Sequence, residues 1–141
     1  LKLYKNPDNL FVAGFIGSPK MNFISSNIIS KNNNGTEVDV FGNSKITIPK
    51  NSASATEGDK VQLGIRPEHL LINQEGDASW ESKVFVVEKL GSGTFLYLEK
   101  DGDPLVVEAE GDSNIKVGDT IKIGFESAKC HLFDNNNNAF K

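Results

Sequence analysis

The chain has 141 residues, 15 basic and 19 acidic side chains, a net charge of −4 and 38% hydrophobic residues. That length allows one domain or two small ones sharing a core, and the acidic balance excludes the clustered positive face that nucleic-acid phosphates demand. No apolar run reaches the ~20 residues of a membrane-spanning helix, and the lone Cys130 excludes an internal disulfide, which suits a reducing cytoplasm.

A short helix is predicted first. Asn6 suits an N-cap and Pro7 the first helical position, where the missing N–H costs nothing. Leu10, Phe11, Ala13, Phe15 and Ile16 follow, Gly17 can take the left-handed conformation that ends a helix, and Pro19 forbids continuation. Pro7 to Ile16 would span ~15 Å at the rise of an α-helix. The helix is apolar nearly all round and needs cover on more than one side. The chain opens on Leu1 rather than Met, the expectation for a piece of a longer polypeptide.

After Met21 the pattern changes to period two. Val38 and Val40 alternate with Asp39, Ile46 and Ile48 with Thr47, and Val61, Leu63 and Ile65 with Gln62 and Gly64; Ile121, Ile123 and Phe125 repeat the scheme. Such alternation predicts strands with one face on a core and one in water. "KVFVVEKL" and "TFLYLEKDGDPLVVEA" add three more, the last two joined through Lys100-Asp101-Gly102-Asp103. The asparagine tracts at 32–34 and 135–138 read as a solvated loop and a polar tail.

An internal repeat organises these strands. Gly58-Asp59 aligns with Gly118-Asp119 at an offset of 60, carrying Val61, Leu63, Gly64 and Ile65 onto Ile121, Ile123, Gly124 and Phe125. With a two-residue insertion, His69-Leu70-Leu71 aligns with His131-Leu132-Phe133, and Gly35-Thr36 parallels Gly93-Thr94. The chain therefore reads as two related β units, about 21–73 and 79–134. Two units are too few for a solenoid, so a fused or paired small barrel is predicted.

"GIRPEHLL" (64–71) concentrates candidate chemistry: the only arginine, Arg66, then Pro67, Glu68 and one of two histidines, His69. A catalytic reading makes His69 a base oriented by Glu68, yet adjacent residues are poorly placed to face each other. The second unit keeps a histidine without Arg-Pro-Glu before it, which favours a structural or interface corner. His69 and His131, with Cys130, lack a metal-ligand spacing, and a half-buried strand-end histidine accounts for each. No stretch fits a Walker loop or a nucleophile elbow; Gly91, Ser92, Gly93 and Thr94 read as a hairpin turn entering a strand. Trp80, Phe95 and Tyr97 could make a stacking platform, but aromatics at alternate strand positions more often fill a core.

"LYKNPDNLFVAGFIGSPKMNF", "GIRPEHLL" and "KCHLFD", in this order and spanning Leu3 to Asp134, resemble the C-terminal regulatory (TOBE/OB-like) region of ATP-binding subunits of carbohydrate ABC importers, maltose/maltodextrin or glycerol-3-phosphate type. The resemblance implies an all-β fold of OB-like small barrel elements, with residues 1–20 a linker helix from a missing ATPase domain, 21–134 the regulatory domain and 135–141 the tail. It implies a non-catalytic regulatory and dimerisation domain: no enzyme in this chain, an ATPase parent, and ATP and Mg held by the missing N-terminal domain. The implied partners are a second copy of the subunit, the transporter's membrane subunits through the ATPase domain, and a regulatory protein, at the cytoplasmic face of the membrane. Arg66, Pro67, Glu68, His69, Gly91, Ser92, Gly93 and Thr94 are expected near the intersubunit contact, and Phe11 and Phe15 against the ATPase domain. The alternative is a TOBE-type binder of a small ligand or oxyanion. The sequence departs from the family after Asp134, where four asparagines follow.

Overall fold

The computed structural model describes residues 20–51, 55–91 and 93–141. The expected helix with Phe11 and Phe15, and the turn residue Ser92, lie outside them. Among the described residues ten strands follow in chain order: β1 (Asn22–Asn32), β2 (Gly35–Val40), β3 (Ser44–Ile48), β4 (Lys60–Ile65), β5 (Leu71–Ile72), β6 (Ala78–Leu90), β7 (Gly93–Leu98), β8 (Leu105–Ala109), β9 (Thr120–Phe125) and β10 (His131–Phe133). They form two five-stranded sheets, ordered β10-β4-β1-β2-β3 and β5-β9-β6-β7-β8. The all-β, OB-like architecture expected from the sequence is thus the one observed.

The period-two residues face inward as their spacing requires. Val38, Val40, Ile48, Leu63, Ile65, Leu96, Leu98, Ile123 and Phe125 are all fully buried, and residues of both sheets share one hydrophobic core. Each such side chain contributes about 1.5–3 kcal/mol on burial.

The repeat is visible in backbone detail. β1 pairs with β4 up to Asn27 and β6 with β9 up to Lys83; each long strand then bulges, at Ile28/Ser30 and Val84/Val86, and continues paired with β2 or β7 alone. At each bulge the Gly-Asp turn docks identically. Gly58 N–H donates to the Ile28 carbonyl (2.8 Å) and Ile28 N–H to that of Asp59 (2.9 Å); Gly118, Val84 and Asp119 do the same (2.8 Å each). Gly58 and Gly118 have φ of 88° and 98°, open to glycine at no steric cost. The aspartates cap the turns, Asp59 accepting from Thr56 N–H and Asp119 from Lys116 N–H, both at 2.9 Å.

The two units are not closed bodies, because they exchange their last strands. β5, at the end of the first unit, pairs with β9 of the second, Leu71 opposite Gly124; β10, at the end of the second, pairs with β4 of the first, His131 opposite Gly64. The two glycines follow from this crossing. A Cβ on Gly124 would collide with the Gln74 carbonyl oxygen; one on Gly64 would lie 2.6 Å from Met21 Sδ and 3.0 Å from Phe133.

The C-terminal stretch differs from the expected polar tail. Asn135–Asn138 are exposed, but Asp134 Oδ1 accepts from the N–H groups of Asn136 (2.8 Å) and Asn138 (2.9 Å), reversing the chain. Phe140 then returns to bury its ring in the shared core, its N–H donating to Leu132 O at 2.9 Å. A short carboxylate-capped turn orders this tract without a core of its own.

Gly124→Ala is expected to lower stability by about 1–3 kcal/mol, the range for overpacking. Gly64→Ala should cost less, because the flexible Met21 side chain can turn away while the Gln74 backbone cannot. Urea midpoints measure both, and equal losses would contradict the steric account.

Candidate functional site

The corner at "GIRPEHLL" is a single 3-10 turn, Pro67–His69, following Arg66 in an extended conformation (φ −76°, ψ 147°). Pro67 disfavours helix at the residue before it and itself suits a first helical position. His69 N–H donates to Arg66 O (3.0 Å). The second unit builds the same turn over Ser127–Lys129, still at the offset of 60, so no two-residue insertion intervenes and Lys129, not His131, takes the place of His69. Lys129 N–H donates to Glu126 O at 3.0 Å, without Arg, Pro or Glu at the matching places. The turn itself therefore does not require the candidate residues.

Their side chains are dispersed in environment. Arg66 is 1% exposed and Pro67 is buried, while Glu68 is exposed and His69 half-buried. Burial pushes the Arg66 guanidinium below its ordinary value, though a guanidinium stays charged at any physiological pH. Burial also lowers His69, opposed by Glu68 and Glu126 and reinforced by Lys129 and Arg66. His69 Nδ1 is buried with no hydrogen-bond partner. A general base needs an orienting acceptor on its second nitrogen, so the Glu68–His69 pair lacks the geometry of a catalytic dyad.

The exchange of β10 brings the second histidine to this corner. His131 is pushed down to about 4 by burial, then by Lys50, Arg66 and His69. The neighbouring Cys130 thiol is buried and pushed up to about 12, so it is a thiol at neutral pH and a poor metal ligand. Among the described residues no group of three or more His, Cys, Asp and Glu side chains is placed to hold a metal ion.

Of the second candidate group, Gly91 is exposed, Gly93 half-buried, and Thr94 2% exposed between Lys89 and Ala109. Tertiary structure brings Glu68 and Gly93 to one cleft of about 520 Å³, with Gln74, Glu108 and Glu110. Arg66, Pro67 and Thr94 are buried within the chain. Of the three aromatics considered for a stacking platform, the core reading holds for Phe95 and no platform of Trp80, Phe95 and Tyr97 forms. Phe95 is core and the Tyr97 hydroxyl bonds Glu88 (3.0 Å), whereas Trp80 stacks on Phe41 at 4.0 Å and 15°. Sequence reasoning did not single out Phe41; its signal was an aromatic residue before Gly42 at a hairpin tip.

His131 sets a pH dependence. Its folded pKa lies below its ordinary 6.5, so the unfolded chain binds the extra proton first. Stability should be unaffected by this group above about pH 6.5 and fall as pH drops toward about 4. Urea melts across that range should show the fall, and His131→Gln should flatten it; an unchanged slope would contradict the assignment.

Comparison with known proteins follows the same halves. Residues 17–70 match the MalK OB fold domain and residues 63–133 match the TOBE domain. The maltose/maltodextrin import ATP-binding protein MalK of Vibrio cholerae is 43% identical over 141 residues, covering 99% of this chain and 38% of that protein. The alpha-glucoside transport ATP-binding protein AglK of Rhizobium meliloti is 35% identical over 143 residues, covering all of this chain and 39% of its own length. The chain thus spans about two fifths of these relatives. In fold, it is similar to the molybdate-bound structure of the cytoplasmic molybdate-binding protein ModG, with a TM-score of 0.66 at 11% identity over 79% of this chain and 94% of that one. The period-two strands, the doubled Gly-Asp turn and the "GIRPEHLL" corner are accordingly those of a known domain type: the chain belongs to the TOBE domain family, with a MalK-type OB fold in its first half.

Proposed function

We propose that this chain is the C-terminal regulatory and dimerisation domain of the ATP-binding subunit of an ABC transporter that imports sugar or glycerol phosphate. The observation that carries the reading is end-to-end similarity to importer ATP-binding proteins, of which the chain corresponds to only 38%. It contains no Walker loop, so nucleotide and Mg chemistry belong to the remainder of such a protein.

The domain's work is then mechanical. A contact between two copies keeps the subunits together when their ATPase domains part, which raises the effective concentration for the next closure. A regulatory protein that prefers one arrangement inhibits by shifting the population. Glu68, His69, Gly91 and Gly93 retain exposed or half-exposed positions from which to contribute. The transporter's membrane subunits are reached through the ATPase domain, at the cytoplasmic face of the membrane.

Light scattering on the parent subunit, with and without this chain, tests the reading. The parent lacking it is expected to dimerise at least about 100-fold more weakly, the scale of a lost intramolecular contact. Equal dimerisation, together with unchanged ATPase activity, would remove both the dimerisation and the regulatory roles. The oxyanion alternative rests on likeness to TOBE-type binders, the molybdate-bound ModG structure being similar in fold. Calorimetric titration with molybdate and sulfate decides it: saturable heat supports it, and none removes it.

A further inference from the structure

A second cleft, of about 730 Å³, is lined by both sheets and by none of the corner residues. Its size lies within the roughly 300–1,000 Å³ typical of small-ligand sites. Phe23 and Ser25 of β1, Gln62 of β4 and Trp80 of β6 form its walls, with two hairpin tips: Phe41-Gly42 from the first unit and Lys100–Asp103 from the second. The tips are equivalent in the repeat, yet one is aromatic and the other acidic.

Phe41 sits here against local preference. Its φ is 53° and that of Gly42 is 80°, a pair of left-handed residues for which Asn-Gly is the favoured sequence. A bulky side chain in that region crowds its own backbone and is strained. The strained residue holds its ring parallel to Trp80, and 6.3 Å from Phe125 at 61°. Strain of this kind collects at ligand sites. Packing alone would account for an apolar ring at the tip; it does not account for the polar groups that converge on the same space. Ser25 and Gln62 are cross-strand neighbours, Gln62 Nε2 donating to Ser25 Oγ at 3.3 Å. The carboxylates of Asp101 and Asp103 are exposed on the opposite tip, and Lys100 Nζ donates to Asp101 O at 3.1 Å.

This combination selects a ligand class. Two carboxylates against one ammonium make the walls net negative, so a phosphate, an oxyanion or a nucleotide is repelled. A wholly apolar ligand would strip water from the carboxylates without replacing their hydrogen bonds. A cation would meet the Lys100 ammonium. A neutral ring with apolar C–H faces and a hydroxyl rim satisfies every group: the faces pack on aromatic rings, carboxylates accept from hydroxyls, and the Gln62 amide both donates and accepts.

We propose that this cleft binds a neutral saccharide, packed on the Phe41–Trp80 pair and held through its hydroxyls by Gln62, Asp101 and Asp103. The proposal rests on the sugar-importer reading for its meaning and extends it: the domain senses internal sugar directly. Occupancy joins hairpin tips from the two units, and a sugar that binds one arrangement of the subunits better shifts the transporter toward it.

Trp80 is the only tryptophan, so fluorescence excited selectively at tryptophan reports on the cleft wall. Maltose and maltotriose are expected to give a saturable change with a dissociation constant of about 1 mM or tighter. Sorbitol, choline and molybdate should give none. The double variant Asp101→Asn, Asp103→Asn should weaken sugar binding about tenfold or more, a loss of about 1.4 kcal/mol. Phe41→Gly should abolish it while keeping the hairpin, since glycine accepts the left-handed φ without strain. Circular dichroism confirms that each variant is folded. No saturable change with either sugar up to about 50 mM, saturation by choline or molybdate instead, or unweakened binding by the folded variants overturns the proposal. Such a failure leaves the regulatory reading standing, because that reading falls only with the dimerisation and ATPase comparison on the parent.

Discussion

The structure depends on the reciprocal exchange of two very short strands. β4 and β9 each lie between a long strand of their own unit and a strand supplied by the other unit. Neither sheet is complete without the far end of the other half, and one core runs through both. Each half would be small for independent stability, since short chains bury too little of their surface. Interleaving solves this by making a single cooperative body of two marginal ones. It also places the β10–β4 pairing across about half of the chain length, His131 opposite Gly64, a non-local arrangement that slows folding.

The sheets are further joined at their edges. The Asn22 side chain is 5% exposed and both donates to and accepts from Val106 in β8, 2.8 Å each way, acting as a backbone unit would on an open sheet edge. Ser44 Oγ donates to Ser79 O, 3.2 Å away, at the matching edge of the other sheet. The Asn22 bonds satisfy backbone groups of the edge strand β8 that would otherwise recruit a foreign strand. Both sets of bonds also hold the two hairpin tips in fixed relation, which is the condition for a ligand cleft between them.

Duplication supplied the frame and divergence supplied the chemistry. The bulges, Gly-Asp turns and strand-end 3-10 turns are common to both units, so they carry shape. Arg66, Pro67 and His69 mark only one corner, Phe41 only one tip, and Asp101 with Asp103 only the other. At the corner, burial first, with the nearby Arg66 among the lesser causes, holds both His69 and the His131 of the exchanged strand below their ordinary pKa. Neutral, half-buried imidazoles fit a packed joint better than a proton-transfer site.

The sequence by itself determined the class of elements and their repetition in two units. Val38, Val40, Ile46 and Ile48 alternate because a pleated strand presents successive side chains to opposite faces, and Gly58-Asp59 marks a turn because glycine alone enters positive φ freely. The offset of 60 likewise disclosed two equivalent units. Tertiary structure alone decided which unit owns β5 and β10, since strands of two and three residues carry too little periodicity to name a partner. It decided that Phe140 enters the core after four exposed asparagines, because a single capped turn at Asp134 outweighs local polarity. It also decided that Trp80 meets Phe41 rather than Phe95 or Tyr97. That contact joins residues of different sheets, and no local pattern encodes a distance across the fold.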